Sequence, residues 1–283
     1  MTIESAKDQL IQQLSSLYDP RESAGITNMV LEHLTGMNRT DRMIHKNQSL
    51  TDIQEQELHH ITSSLLNNQP IQYILGEAWF AGIKFIVNEH TLIPRPETEE
   101  LVEWIKATAN PAPQSILDIG TGSGCIPITL KKEFPLWHIH AIDVSNDTLQ
   151  VAKQNATLNN TSIDFICTDF LNETSWQDLP DYHIIVSNPP YIKQSEKDSM
   201  STHVVEHEPH LALFVPDDDA LIFYRKIATF GHTHLKKNGK LFFEINQLLG
   251  EQVSTLLQQM GYTTILRKDL HGNDRMIMAT PVE

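Results

Sequence analysis

The chain has 283 residues, 40% of them hydrophobic, enough for one large or two modest folded domains. Its formal net charge is −15, the opposite of the basic footprint that grips phosphate backbones, so nucleic acid is not expected as a direct partner. The two cysteines suit buried free thiols in a reducing cytoplasm. No apolar run reaches the roughly 18 residues of a membrane span, and the charged start Met1–Asp8 is unlike a signal peptide.

In the first part of the chain, Leu10, Leu14 and Leu17, then Ile26, Met29, Val30 and Leu34, recur at helical spacing. Thr51 with Gln54 three residues on forms a capping box, and Asn67–Pro70 ends the last helix. The pattern predicts a small all-helical domain over 1–70, a packing or recognition module rather than a catalytic one. Trp79–Val87 is β-prone around Gly82 and predicts a β-hairpin, within a linker over 71–95 that bridges the two domains. Arg95 is then held extended between Pro94 and Pro96. It can reach a ligand from there, or remain an ordinary surface arginine. A helix is expected from Glu97 to Ala109, with acids in its first turn.

From Ser115 onward strands alternate with helices. Strands are expected at Ser115–Ile119, His138–Ile142, Ile163–Cys167, Tyr182–Ser187, Lys240–Ile245, Thr263–Arg267 and Arg275–Ala279, the last two as an antiparallel edge pair. Such alternation predicts a mostly parallel, seven-stranded α/β sheet with helices on both faces, in a domain spanning 96–283.

The first of these strands runs into Gly120-Thr121-Gly122-Ser123-Gly124. Glycines there let the chain turn tightly and let its backbone approach a ligand. Asp143 closes the next strand, about 20 residues on, where a carboxylate accepts ribose hydroxyls. Asp169 follows the third strand, and the neighbouring Phe170 is placed to flank an adenine ring. A glycine loop alone is weak evidence; loop and acids at successive strand ends point to a nucleoside cofactor. The spacing is G-x-G-x-G, not G-x-G-x-x-G, and no P-loop lysine follows, which favours S-adenosylmethionine over NAD or ATP. Asp118 is assigned a structural or electrostatic part.

Ser187-Asn188-Pro189-Pro190-Tyr191 is where the chemistry is expected. Two prolines stop the preceding strand, so Asn188 is read as its last residue, at the carboxyl edge where open α/β sheets bind ligands. The Asn188 side chain and the Pro189 carbonyl can accept the two N–H bonds of a planar NH2 group, with the Tyr191 ring covering its face. Asn-Pro-Pro is also a plain turn sequence.

Together, Asp118–Gly124 and Asn188–Tyr191 resemble the class I S-adenosylmethionine-dependent methyltransferases that act on planar nitrogen. Gln72–Glu77, Ile93–Glu99 and Asn273–Arg275 narrow the resemblance to the HemK/PrmC family, over nearly the whole chain. The resemblance implies a Rossmann-like catalytic domain, and methyl transfer to the side-chain nitrogen of the glutamine in the Gly-Gly-Gln motif of class I peptide release factors. It implies that Gly120–Gly124, Asp143, Phe170 and Asn188 contact the cofactor, and that Asn188, Pro189, Pro190, Tyr191 and Arg95 lie on the substrate side. Phe170 stands where some members carry tryptophan, and Val215–Ala220 lacks a glycine often found there. A monomer is expected, for want of a coiled-coil seam. The rival readings are a DNA amino-methyltransferase, disfavoured by the charge, and a zinc hydrolase built on His203-Val204-Val205-Glu206-His207. That histidine pattern needs a long helix, which Pro209 forbids, so no metal is expected.

Overall fold

The computed structural model describes residues 1–200 and 202–282. Two compact units emerge, Met1–Gly76 with Thr202–His207, and Glu77–Ser201 with Glu208–Glu283.

The first unit is helical: α1 Ile3–Leu14, α2 Pro20–Thr35, α3 Arg39–Ile44, α4 Asp52–Leu66 and α5 Ile71–Leu75. Side chains of Thr2, Asp19, Asn38 and Thr51 cap the first four, and Thr51 and Gln54 form the reciprocal capping box. Leu10, Leu14, Val30, Leu31 and Leu65 make its core. Leu17, expected on the same stripe, is exposed because α1 has already ended.

The second unit opens with a hairpin, β1 Glu77–Phe80 and β2 Ile83–Ile86, followed by α6 Pro96–Thr108. Then come β3 Ser115–Ile119, α7 Cys125–Glu133, β4 His138–Asp143, α8 Asn146–Leu158, β5 Asp164–Cys167, β6 Tyr182–Ser187 and β7 Ile192–Lys193. After α9 Thr202–His207, which belongs to the first unit, follow α10 His210–Leu213, β8 Phe214–Val215 and α11 Ile222–His234. The chain closes with β9 Leu235–Glu244, α12 Gly250–Gln259, β10 Tyr262–Lys268 and β11 Asp274–Pro281. The histidine-rich match lies on α9, only six residues long. Its first histidine pairs with the Asn68 carbonyl at 2.9 Å and stacks on Tyr18.

Seven strands form one sheet in the order β10-β11-β9-β6-β3-β4-β5. β11 runs antiparallel to both neighbours; the other pairings are parallel. Register fixes the site. Ile119 lies opposite Ile142 on one side and Ser187 on the other, and Ser187 lies opposite Phe243. The next residues along these four strands are Gly120, Asp143, Asn188 and Glu244, so one row at the carboxyl edge carries all four. Asn188 thus lies one residue past β6, not in it.

Two expectations need revision. The hairpin is no loose bridge: Phe80 and Phe85 are fully buried in the core of the second unit, with Leu101, Ile105 and Trp137. Only Cys125 is buried; Cys167 is exposed, because β5 is an edge strand with one side uncovered.

Asn155 of α8 binds hairpin and glycine loop together. Fully buried, its Oδ1 accepts from Ile86 N at 2.6 Å, and its Nδ2 donates to the carbonyls of Ile86 and Ser123, each at 2.9 Å. Asn155→Ala strands these backbone groups in a dry site. It is expected to lower the unfolding free energy by about 3 kcal/mol in urea titrations and to weaken cofactor binding through Ser123. A change within ordinary surface noise would refute that linkage.

Candidate active site

A cavity of about 550 Å³ opens at the carboxyl edge of β3, β4 and β6. Gly120, Thr121, Gly122 and Ser123 form one wall, Asp143 and Phe170 another, and Arg95, Thr98, Asn188 and Pro190 line it as well.

The glycine loop owes its shape to backbone conformation. Gly120 and Gly122 have φ of +76° and +56°, in the left-handed region, and no atom lies where their Cβ would stand. Gly120 N and Thr121 N both donate to the Ile142 carbonyl at 2.9 Å. Gly124 does not line the cavity. A Cβ there would meet Ile128 at 3.0 Å, so this glycine serves the packing of α7 and α8.

Asp143 is held from two sides. Gly122 N donates to its Oδ2 at 3.1 Å and Ser145 N to its Oδ1 at 3.0 Å. Burial raises its pKa, and these backbone donors oppose the rise. Phe170 is 4% exposed, wedged against Trp176 and Phe230, so its ring is locked where it meets the cavity. The Thr121 and Ser123 hydroxyls are buried without a partner in hydrogen-bond geometry among the described residues. Two unsatisfied hydroxyls, an open glycine turn, an aimed carboxylate and an aromatic wall fit an adenosyl group that carries a charged amino-acid tail.

Asp118 lies beneath the loop, fully buried, and neither carboxylate oxygen has a partner in hydrogen-bond geometry. Burial pushes it up to about 7; the nearby Thr121 hydroxyl acts downward and the Asp143 charge upward.

On the other side of the cavity, the Asn188 Nδ2 donates to Thr98 Oγ1 at 3.1 Å. Thr98 Oγ1 donates to Glu244 Oε2 at 2.6 Å, and the Tyr191 hydroxyl reaches Glu244 Oε1 at 3.4 Å. Glu244 is buried and pushed up to about 7, chiefly by desolvation; Thr98, Arg275 and Tyr191 lower it while Glu97 raises it. Pro189 and Tyr191 are not among the residues lining this cavity. Pro189 is buried, and Tyr191 packs against the core with its hydroxyl turned to Glu244.

Arg95 meets a partner rather than open solvent. Its Nη2 donates to Glu208 Oε1 at 2.6 Å, and the Glu208 side chain is 2% exposed. Thr98 was legible only as a member of the Ile93–Glu99 stretch. Glu244 was missed, although it closes a strand as Asp143 does.

The catalytic unit has the class I methyltransferase fold, and residues 97–211 match the methyltransferase small domain. Residues 5–76 match the PrmC N-terminal domain. Among solved structures, the hMettl16 catalytic domain in complex with a 3'UTR hairpin shares the fold, with TM-score 0.56 and 17% identity over 83% of this chain and 84% of that one. A methyltransferase from Pyrococcus furiosus gives TM-score 0.52 and 16% identity over 78% and 96%. A release factor glutamine methyltransferase of Flavobacterium psychrophilum is 45% identical over 98% of both chains. One of Bacteroides thetaiotaomicron is 40% identical over 95% of this chain and 96% of its own. The chain belongs to the release factor glutamine methyltransferase family.

Folding raises the Asp118 carboxyl from its ordinary 3.8 to about 7, so the folded chain holds that proton more tightly than the unfolded one. The associated stability is fully present below the unfolded value and is lost as the pH rises through 7. Between about pH 5 and pH 8 the wild type is expected to lose roughly 3 kcal/mol more than Asp118→Asn. Glu244 titrates in the same window in both proteins and cancels. Urea unfolding at the two pH values measures the difference; parallel losses would refute the assignment.

Proposed function

We propose that this protein transfers a methyl group from S-adenosylmethionine to the side-chain amide nitrogen of a glutamine in peptide chain release factors. The acceptor is proposed to be the Gly-Gly-Gln motif of class I factors. The observation that carries the site assignment is Asn188 at the carboxyl edge, in the same register row as the glycine loop and Asp143 and lining the same cavity.

An amide nitrogen is a poor nucleophile because its lone pair is delocalised into the carbonyl. The bound cofactor would supply an activated methyl on sulfonium sulfur. The chain's own task is then to hold and orient the acceptor and to exclude water. Asn188 Oδ1 and the Pro189 carbonyl are assigned to the two amide N–H bonds, which aims the nitrogen and favours its rehybridisation. Pro190, in the cavity wall, flanks the acceptor. Tyr191 is assigned to the acceptor's face, and its hydroxyl shares Glu244 with Thr98, which ties the ring to the same network. Gly120–Ser123, Asp143, Phe170 and Asn188 are assigned to the cofactor, with Gly124 shaping the loop from behind. Arg95 acts through its Glu208 pair, which fixes the stretch before α6 beside the cavity. Methylation acidifies the nitrogen, so its proton leaves late and no strong base is required.

The helical unit is assigned to gripping the release factor away from the Gly-Gly-Gln loop. The protein is read as a monomer acting in the cytoplasm, on protein and not directly on nucleic acid. No helix among the described residues is long and apolar enough to cross a membrane.

Mass spectrometry of a release factor incubated with the protein and S-adenosylmethionine is expected to place one methyl on the glutamine side chain, with duplex DNA left unmodified. Labelled DNA with an unlabelled factor would overturn the assignment. Asn188→Ala should reduce kcat about 100-fold or more, far beyond any loss of cofactor affinity. Near-normal turnover would remove Asn188 from the chemistry. Deleting residues 1–69 should raise KM for the intact factor at least about tenfold more than for a short Gly-Gly-Gln peptide, the loss of roughly 1.4 kcal/mol of docking. Equal effects would take the helical unit out of substrate recognition.

A further inference from the structure

Asn188 works as an acceptor only if its amide is turned the right way. An asparagine side chain is nearly symmetric in shape, and a half-turn about its last bond exchanges oxygen for NH2. With NH2 toward the substrate, two donors would face the donors of the glutamine amide. Something must hold the productive orientation.

We propose that Thr98 and Glu244 are positioning residues that set the orientation of the Asn188 amide through a one-way hydrogen-bond chain. The inference rests on the reading of Asn188 as acceptor for the substrate amide, and deepens it. Direction follows from the donor count. In its ionised form Glu244 has no hydrogen to give and can only accept; burial pushes its carboxyl up to about 7, so the hydrogen-bond chain holds this direction above that pH. Thr98 has a single hydroxyl hydrogen, and the 2.6 Å contact to Glu244 Oε2 uses it. Toward Asn188, 3.1 Å away, the threonine oxygen can offer only a lone pair. Asn188 must therefore present its NH2 to Thr98, which leaves Oδ1 for the cavity. The alternative orientation would set the Asn188 oxygen against an oxygen with no hydrogen left.

The parts are held rigidly. Thr98 is 3% exposed in the first turn of α6, and its N–H bonds back to the Arg95 carbonyl at 3.1 Å. Glu244 is 2% exposed, and its backbone carbonyl accepts from the buried Tyr224 hydroxyl at 3.2 Å. Ninety residues separate Asn188 from Thr98, and 146 separate Thr98 from Glu244, so the chain joins three distant segments at one point. A polar relay this deeply buried is costly to assemble for packing alone, since apolar side chains of the same shape would fill the space.

Removing the Thr98 hydroxyl while keeping its shape tests the idea. Thr98→Val is expected to lower kcat by about tenfold or more, with KM for the release factor and the Kd for S-adenosylmethionine within about twofold of wild type. Thr98→Ser, which keeps the hydroxyl, should restore most of the rate. Glu244→Gln should behave like Thr98→Val, because a glutamine amide can donate to Thr98 and free its hydrogen for Asn188. The discriminating measurement is the double variant. If Thr98 acts only through Asn188, adding Thr98→Val to Asn188→Ala costs nothing further. Multiplying effects, or a Thr98→Val enzyme at wild-type rate beside an impaired Asn188→Ala, would overturn the inference while leaving the role of Asn188 intact. An unimpaired Asn188→Ala would instead bring down the reading beneath it. Should Thr98→Val not fold, Glu244→Gln and its double with Asn188→Ala carry the same comparison.

Discussion

The parallel register of four strands is the constraint on which the rest depends. Parallel strands bring their carboxyl ends to one edge, and hydrogen bonding aligns residues across them. With Ile142, Ile119, Ser187 and Phe243 in one row, the next residue of each strand is Asp143, Gly120, Asn188 and Glu244. The Asp143 carboxylate, the glycine turn, Asn188 and Glu244 thus come to one edge through one shared alignment. Slipping any strand by one residue would turn that strand's whole apolar set to the wrong face as well as dismantle the site. Core packing and chemistry are protected by the same interaction.

Two carboxyls at this edge are forced out of water, and they differ in what surrounds them. Asp118 and Glu244 are both pushed to about 7 by desolvation. Asp118 has no partner in hydrogen-bond geometry among the described residues, only the nearby Thr121 hydroxyl acting on it, whereas Glu244 is bonded by Thr98 and Tyr191 and faces Arg275. A buried carboxyl with so little support is a cost the fold tolerates beneath the glycine loop. One with three polar neighbours of fixed direction is a device for orienting them.

Much of this was legible in the chain. Strand ends are marked by what stops them: a turn with three glycines after Ile119, an acid after Ile142, two prolines after Asn188. What the sequence hid is of another kind. The Ile93–Glu99 stretch reads as stiff, but nothing local says that Thr98 will meet Asn188, or that Arg95 will spend its charge on Glu208. Glu244 falls inside the strand expected over Lys240–Ile245; only register puts it at the carboxyl edge beside Asn188. The hairpin, with its central glycine, resembles a bridge until Phe80 and Phe85 are seen inside the core. Periodicity reports the face of an element, whereas contacts across a hundred residues come from topology.

Fold alone does not choose the acceptor. The catalytic unit shares its architecture with proteins under 20% identical, one of them solved with an RNA hairpin bound. The sheet edge is common property of that architecture, so selectivity has to come from features laid around it. The features proposed to supply it here are the helical unit, the Arg95–Glu208 pair before α6, and an asparagine hydrogen-bonded from behind by Thr98. A net charge of −15 adds a general bias against polyanions. An amide is bound by two acceptors placed for its two N–H bonds, and an acceptor facing the wrong way repels what it should hold. On the proposed reading, the hydrogen-bond polarity set by Glu244 is as much a part of selectivity as the shape of the cavity.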